Sequence, residues 1–130
     1  MRFLTLFSSQ RLRTLPKRFI QQPMEHSRQG QVAVIFVSQR TDEDAEGYAE
    51  AAGAMAVLAA AQPGYAGVES VRDTGGLGIT VSYWADDASA RAWRDNPEHP
   101  RIRDLGRARW YDWYVLEVTR VERGYRWSRK

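Results

Sequence analysis

The element order legible in the sequence predicts an α+β fold of ferredoxin-like type: a four-stranded sheet with two helices on one face, in β-α-β-β-α-β order. Three observations carry this. A near-continuous apolar, β-branched run at Val32–Val37 precedes an alanine-rich stretch with helical spacing. Two alternating segments flank Thr74-Gly75-Gly76, a hairpin signature. A second helical stretch and an aromatic-rich strand complete the order.

Each element has its own local reason. Val32 to Val37 reads as a central strand buried on both faces, because no polar residue interrupts it. Thr41-Asp42-Glu43-Asp44 offers side-chain oxygens to the free amides of a first helical turn, and its acids suit the positive end of the helix. The helix is expected to run to about Gln62, with Tyr48, Ala52, Met55, Leu58 and Ala59 on one face. Pro63-Gly64 stops it.

Tyr65 to Asp73 reads as the second strand and Leu77 to Trp84 as the third. In the third, Leu77, Ile79, Val81 and Tyr83 point one way and Gly78, Thr80, Ser82 and Trp84 the other. Asp86-Asp87 caps a second helix carrying Ala88, Ala92 and Trp93. Asn96-Pro97-Glu98-His99-Pro100 is expected to break it, leaving His99 in an exposed loop, with a short helical continuation from about Arg101 to Arg109. The last strand, Tyr111 to Val121, should carry Tyr111, Trp113 and Val115 on one side and Tyr114, Leu116 and Val118 on the other.

The chain has 130 residues, one domain's worth, and the domain is expected over 31–127. Zero cysteines exclude disulfides, thiolate nucleophiles and iron–sulfur sites, and two histidines (His26 and His99) make an all-protein zinc cage a poor reading. No metal site is expected. No apolar run approaches the roughly 18–20 residues that cross a bilayer, and a cytoplasmic location is expected.

The net charge of +3 suggests an acidic partner until it is divided. Residues 1–24 contain Arg2, Arg11, Arg13, Lys17 and Arg18 and no acid, a charge of +5. The other 106 residues hold 14 basic and 16 acidic side chains, a charge of −2. Residues 1–30 therefore read as a basic leader outside the domain. Its Arg, Ser and apolar rhythm matches an organellar transit peptide, a basic interaction arm, or a dispensable segment upstream of a start at Met24. Neither nucleic acid nor membrane is expected as a partner of the domain.

No catalytic signature stands alone. Gly75-Gly76-Leu77-Gly78 joins two strands instead of opening a helix, so it is a hairpin and not a phosphate cradle. His99, the one histidine of the domain, has the chemistry of a general base or of an axial haem ligand, and equally of an incidental loop residue. Trp84, Trp93, Trp110, Tyr111, Trp113 and Tyr114 can line a cavity for a planar apolar ligand, or fill the core and a dimer interface. Base stacking is disfavoured, since the third strand lacks the basic-glycine-aromatic RNA-binding pattern.

Taken together, certain residues resemble a family. They are Ser38-Gln39-Arg40-Thr41, Gln62-Pro63-Gly64-Tyr65, Gly67-Val68-Glu69-Ser70 and Ser82-Tyr83-Trp84. Trp93, Glu98-His99, Gly106, Trp110-Tyr111, Tyr114 and the closing Arg120-Val121-Glu122-Arg123 continue the pattern. The chain resembles the antibiotic biosynthesis monooxygenases, small dimeric α+β-barrel proteins. The resemblance implies a homodimer formed through the sheet, each subunit holding an apolar pocket between sheet and helices. It also implies oxidation of a small aromatic or quinol-type compound by molecular oxygen with no cofactor. Trp84, Trp93, Trp110, Tyr114 and Ser38 would line the pocket, and His99 would assist proton transfer.

Haem-degrading relatives place an asparagine where this chain has Ser38, and a histidine ten residues after the helix tryptophan, where Arg103 follows Trp93. Haem degradation is therefore not expected. Cofactor-free members carry an asparagine four residues before that tryptophan, at the position of Ser89. A non-enzymatic small-molecule- or haem-binding dimer and a purely structural dimer are the alternatives.

Overall fold

A computed structural model describes residues 27–130; most of the basic leader, residues 1–26, lies outside them. The elements follow the expected order: β1 (Val32–Arg40), α1 (Ala45–Ala60), β2 (Tyr65–Arg72), β3 (Leu77–Trp84), α2 (Asp87–Arg94), α3 (Glu98–Leu105), a π-helical turn (Gly106–Trp110) and β4 (Tyr111–Arg120). The sheet runs β2-β3-β1-β4 and every neighbouring pair is antiparallel. This is the ferredoxin-like α+β fold.

The β2–β3 turn uses Gly76 at φ +97°, a conformation that a side chain would strain. Asp44 caps α1, its carboxylate accepting from the Gly47 amide at 3.2 Å, and Asp86 caps α2 through Ser89 at 2.7 Å. The α3 helix begins at Glu98, earlier than the prolines suggest. Pro97 sits at the cap and Pro100 in the first turn, where a missing N–H removes no helical hydrogen bond. His99 is therefore in the first turn of a helix, not in an exposed loop.

Register shows which residues share a face. Val32, Val34, Phe36 and Ser38 of β1 lie opposite Trp84, Ser82, Thr80 and Gly78 of β3. This row, the small and polar side of β3, is the one that the helices cover. Val32, Trp84 and Ala90 form its buried cluster, with Val34, Ala59, Tyr65 and Trp93 packed around it. The alternation expected for β3 holds, but its apolar side faces away from the helices.

That other side is open. Val71 is 64% exposed, Ile79 44%, Trp113 47% and Val115 48%, and Ile35 and Val37 are half-buried among them. Thus β1 is covered on one face within the chain, not on both. A second correction concerns β4. Arg40 pairs with Tyr111 while Gln39 pairs with Trp113, so Asp112 is an extra residue. The bulge turns Tyr111 onto the helix side with Tyr114, where strict alternation had separated it from Tyr114.

Candidate functional site

The residues singled out in the sequence fall into two groups at opposite ends of β1. Trp84 lies across from Val32, and Tyr114 across from Ser38. Six strand residues separate these rows, about 20 Å. Trp84, Trp93 and His99 come together at the first end; Ser38, Trp110 and Tyr114 occupy the second.

At the first end the Trp84 and Trp93 rings stack with centroids 6.0 Å apart, and Tyr65 meets Trp84 edge-on at 5.7 Å. Trp84 is fully buried and its indole N–H donates to Ser82 Oγ at 3.1 Å. It is a core residue with no free edge. Trp93 is half-buried on α2, and the His99 ring packs edge-on to it at 4.4 Å. Burial pushes the His99 imidazole below its usual pKa of 6.5, because the cation would lose its water. Its Nε2 is buried without a hydrogen-bond partner among the described residues. The result is a neutral imidazole with an unsatisfied ring nitrogen beside an indole face.

The second end is built from buried arginines and phenols. Arg72, Gly78, Ser38 and Tyr114 form one row across all four strands. Arg72 lies over Gly78, where a Cβ would sit 2.5 Å from the guanidinium carbon. It reaches the Ser38 carbonyl at 3.0 Å, the Gly76 carbonyl at 2.6 Å and Ser38 Oγ at 2.8 Å. Gly78 is the empty lane that lets this arginine cross the sheet.

Arg40 closes the end of the π-helical turn. It donates to the Trp110 carbonyl at 2.7 Å while Thr41 Oγ1 donates to the Arg109 carbonyl at 2.5 Å. A cation at a helix C-terminus offsets the negative end of its dipole. The Arg40 guanidinium also sits 4.0 Å over the Tyr48 ring. Burial lowers the Arg40 pKa, and neither Arg40 nor Arg72 has a salt bridge among the described residues. The Nε atoms of both lack a partner among the described residues.

Tyr48 and Tyr111 share a 3.4 Å hydroxyl contact, and burial raises both phenol pKa values. Trp110 is buried with its indole N–H on Asp44 at 3.1 Å, which together with the Gly47 amide holds that carboxylate below its ordinary pKa. Tyr114 accepts from Arg107 Nε at 2.8 Å and borders an open depression of about 360 Å³, also lined by Arg107, Tyr111, Asp112 and Trp113. The roles of Arg40, Arg72 and Tyr48 were not read from the sequence. The sole available signal was Gly78 inside a strand, which marks close approach of another group.

The comparisons bear on this geometry. Residues 31–105 match the family described as Antibiotic biosynthesis monooxygenase. The chain is a member of the antibiotic biosynthesis monooxygenase family. It is 47% identical over 91 residues to the uncharacterised protein YqjZ of Bacillus subtilis (strain 168), a match covering 70% of this chain and 79% of that protein. Its fold resembles a single-residue variant of SnoaB, a cofactor-independent oxygenase from Streptomyces nogalater. The TM-score is 0.63 at 15% identity, covering 73% of this chain and 96% of that one. Rv0793 from Mycobacterium tuberculosis is similar at TM-score 0.60 and 16% identity, covering 68% and 92%. These two likenesses concern the fold. Among the described residues no helix is long and apolar enough to cross a membrane.

Proposed function

We propose that this family member oxidises a small aromatic, phenol- or quinol-type compound with molecular oxygen and no bound cofactor, at the Trp93–His99 end of the fold. The observation that carries the reading is the unpartnered Nε2 of a His99 ring kept neutral by burial against Trp93. A neutral imidazole accepts a proton, and the proton on offer is that of a substrate hydroxyl. The resulting anion is electron-rich enough to pass an electron to oxygen. One oxygen atom then enters the ring and the other leaves as water, the substrate supplying the electrons. Trp93 gives the flat ring a surface to pack on, and the half-buried setting keeps water from the intermediate.

The working unit in this reading is a homodimer packed through the open sheet face, which would cover Ile79, Val115 and Trp113. Incubation with a panel of quinols should show oxygen uptake, and His99→Ala should lower kcat/KM by about 10²–10⁴-fold. A His99→Ala variant with full activity removes that residue from the mechanism. Ligand binding without oxygen uptake across the panel supports a non-enzymatic binding dimer instead. Solution mass tests the dimer.

A further inference from the structure

Two departures from regular structure meet at the depression beside Tyr114. One is the π-helical turn Gly106–Trp110, and the other is the β-bulge that makes Asp112 an extra residue of β4. Both kinds of irregularity interrupt a regular hydrogen-bond ladder, and both concentrate at functional sites, where they re-aim side chains. Here the turn supplies Arg107 to the wall of the depression, and the bulged stretch supplies Tyr111, Asp112, Trp113 and Tyr114.

The turn is held from both sides. Arg40 and Thr41 donate to its last carbonyls, and Gly106 is buried against the Tyr111 ring, which a Cβ would meet at 3.1 Å. Arg107 donates Nε to the Tyr114 hydroxyl at 2.8 Å, which orients the guanidinium and leaves its Nη groups without a partner among the described residues. Every other arginine from Arg91 to Arg109 has a carboxylate: Asp87 for Arg91, Asp95 for Arg94, Glu98 for Arg101, Asp104 for Arg103 and Asp44 for Arg109. Asp112, next to Arg107 in the same wall, likewise has no ion pair or side-chain hydrogen bond among the described residues. Behind the wall, the buried Arg40 and Arg72 act electrostatically on the Tyr111 hydroxyl and add positive field.

We propose that this depression binds a small hydroxylated aromatic carboxylate, at the end of the sheet opposite Trp93 and His99. The guanidinium fork of Arg107 suits a carboxylate. Asp112 only accepts, so it takes the proton of a ring hydroxyl. Trp113, 47% exposed, and Tyr114 give the ring an aromatic surface. A bare inorganic anion would be repelled by Asp112 with nothing in return, and a simple cation by Arg107. The volume of about 360 Å³ lies at the low end of the roughly 300–1,000 Å³ of small-molecule sites, which suits one ring with its substituents. Trp113 also belongs to the face that the proposed homodimer covers, so the depression opens at the rim of that interface. The proposal is independent of the oxygenase reading.

Calorimetric titration of the full chain with para-hydroxybenzoate tests it, and a single site is expected. The amide para-hydroxybenzamide keeps the shape and the hydroxyl without the charge, and should bind roughly 10-fold or more weakly. Benzoate, which lacks the hydroxyl, should bind roughly 3–10-fold more weakly. Arg107→Gln should weaken para-hydroxybenzoate by roughly 10–100-fold. Asp112→Asn should narrow the gap between para-hydroxybenzoate and benzoate, an effect that a loss of fold would not produce. Both residues are exposed, so far-ultraviolet circular dichroism should be unchanged in either variant. His99→Ala should bind as the parent does. Absence of binding at millimolar ligand, equal affinity for the amide, or unchanged affinity in Arg107→Gln would each overturn the proposal. So would loss of binding in His99→Ala, which would put the acid at the other end.

Discussion

The two ends of the helix-covered sheet face are both rich in aromatic rings, yet they are built on opposite principles. At the Ser38 end, two buried guanidinium groups tie several elements together through their terminal nitrogens: Arg72 on the Ser38 and Gly76 carbonyls and Ser38 Oγ, Arg40 on the Trp110 and Glu43 carbonyls. Trp110 is likewise satisfied, by Asp44. That end is a staple joining β1, β2, the hairpin turn and the π-helical turn. At the Trp84 end the indoles stack, and one imidazole nitrogen is buried with no partner among the described residues. Aromatic content does not separate the two ends; the chemistry of their polar atoms does, since a guanidinium only donates whereas a neutral imidazole nitrogen can accept a proton.

Substitutions can break that contrast. Trp84→Ala should have the largest effect on stability, about 3–5 kcal/mol, because a fully buried indole leaves a cavity behind; thermal or denaturant unfolding measures it. Arg72→Met should cost about 1–3 kcal/mol by removing the buried bonds to the Ser38 carbonyl and Oγ, while the Gly76 carbonyl keeps the Arg40 amide as a donor. In the folded protein it should leave oxygen uptake unchanged, and a loss of activity at full stability would make the Ser38 end part of the site.

Gly78→Ala should cost about 1–3 kcal/mol, since the new methyl group meets the Arg72 guanidinium. Combining it with Arg72→Ser should cost less than the sum of the two, because the clash disappears with the arginine. Strict additivity in that double-mutant cycle would contradict the empty-lane account.

The smallest expected effect is a pH dependence at the other end. The unfolded chain takes up a proton on His99 near pH 6.5, whereas the folded chain does so at lower pH because burial disfavours the cation. Stability from this group is therefore complete above about pH 6.5 and falls as the pH drops below it, by at most about 1.4 kcal/mol per pH unit. His99→Gln should flatten the stability profile between pH 6.5 and 5. An unchanged slope would mean that the ring is hydrated in solution.

Much of the fold was legible because its signals are local. The β3 strand begins and ends where alternation and the flanking glycines place it, at Leu77 and Trp84. The Asp86 cap and the hairpin at Gly76 follow from side-chain length and backbone freedom. The site was less legible. Trp84 and Tyr114 belong to the same side of the sheet, but nothing in their spacing reveals that they sit six residues apart along a strand between them. Proline chemistry misled at His99, since two prolines can open a helix as well as interrupt one.

Sequence by itself determined the order of the elements, the turns that join them and the family to which the chain belongs. These depend on contacts between near neighbours and on residue pattern. Tertiary structure alone decided which side of β3 the helices cover and that Asp112 turns Tyr111 toward Tyr114. It also decided that His99 loses its water against Trp93. A two-residue period names two faces without saying which is covered, and burial and register are set by pairings between distant parts of the chain.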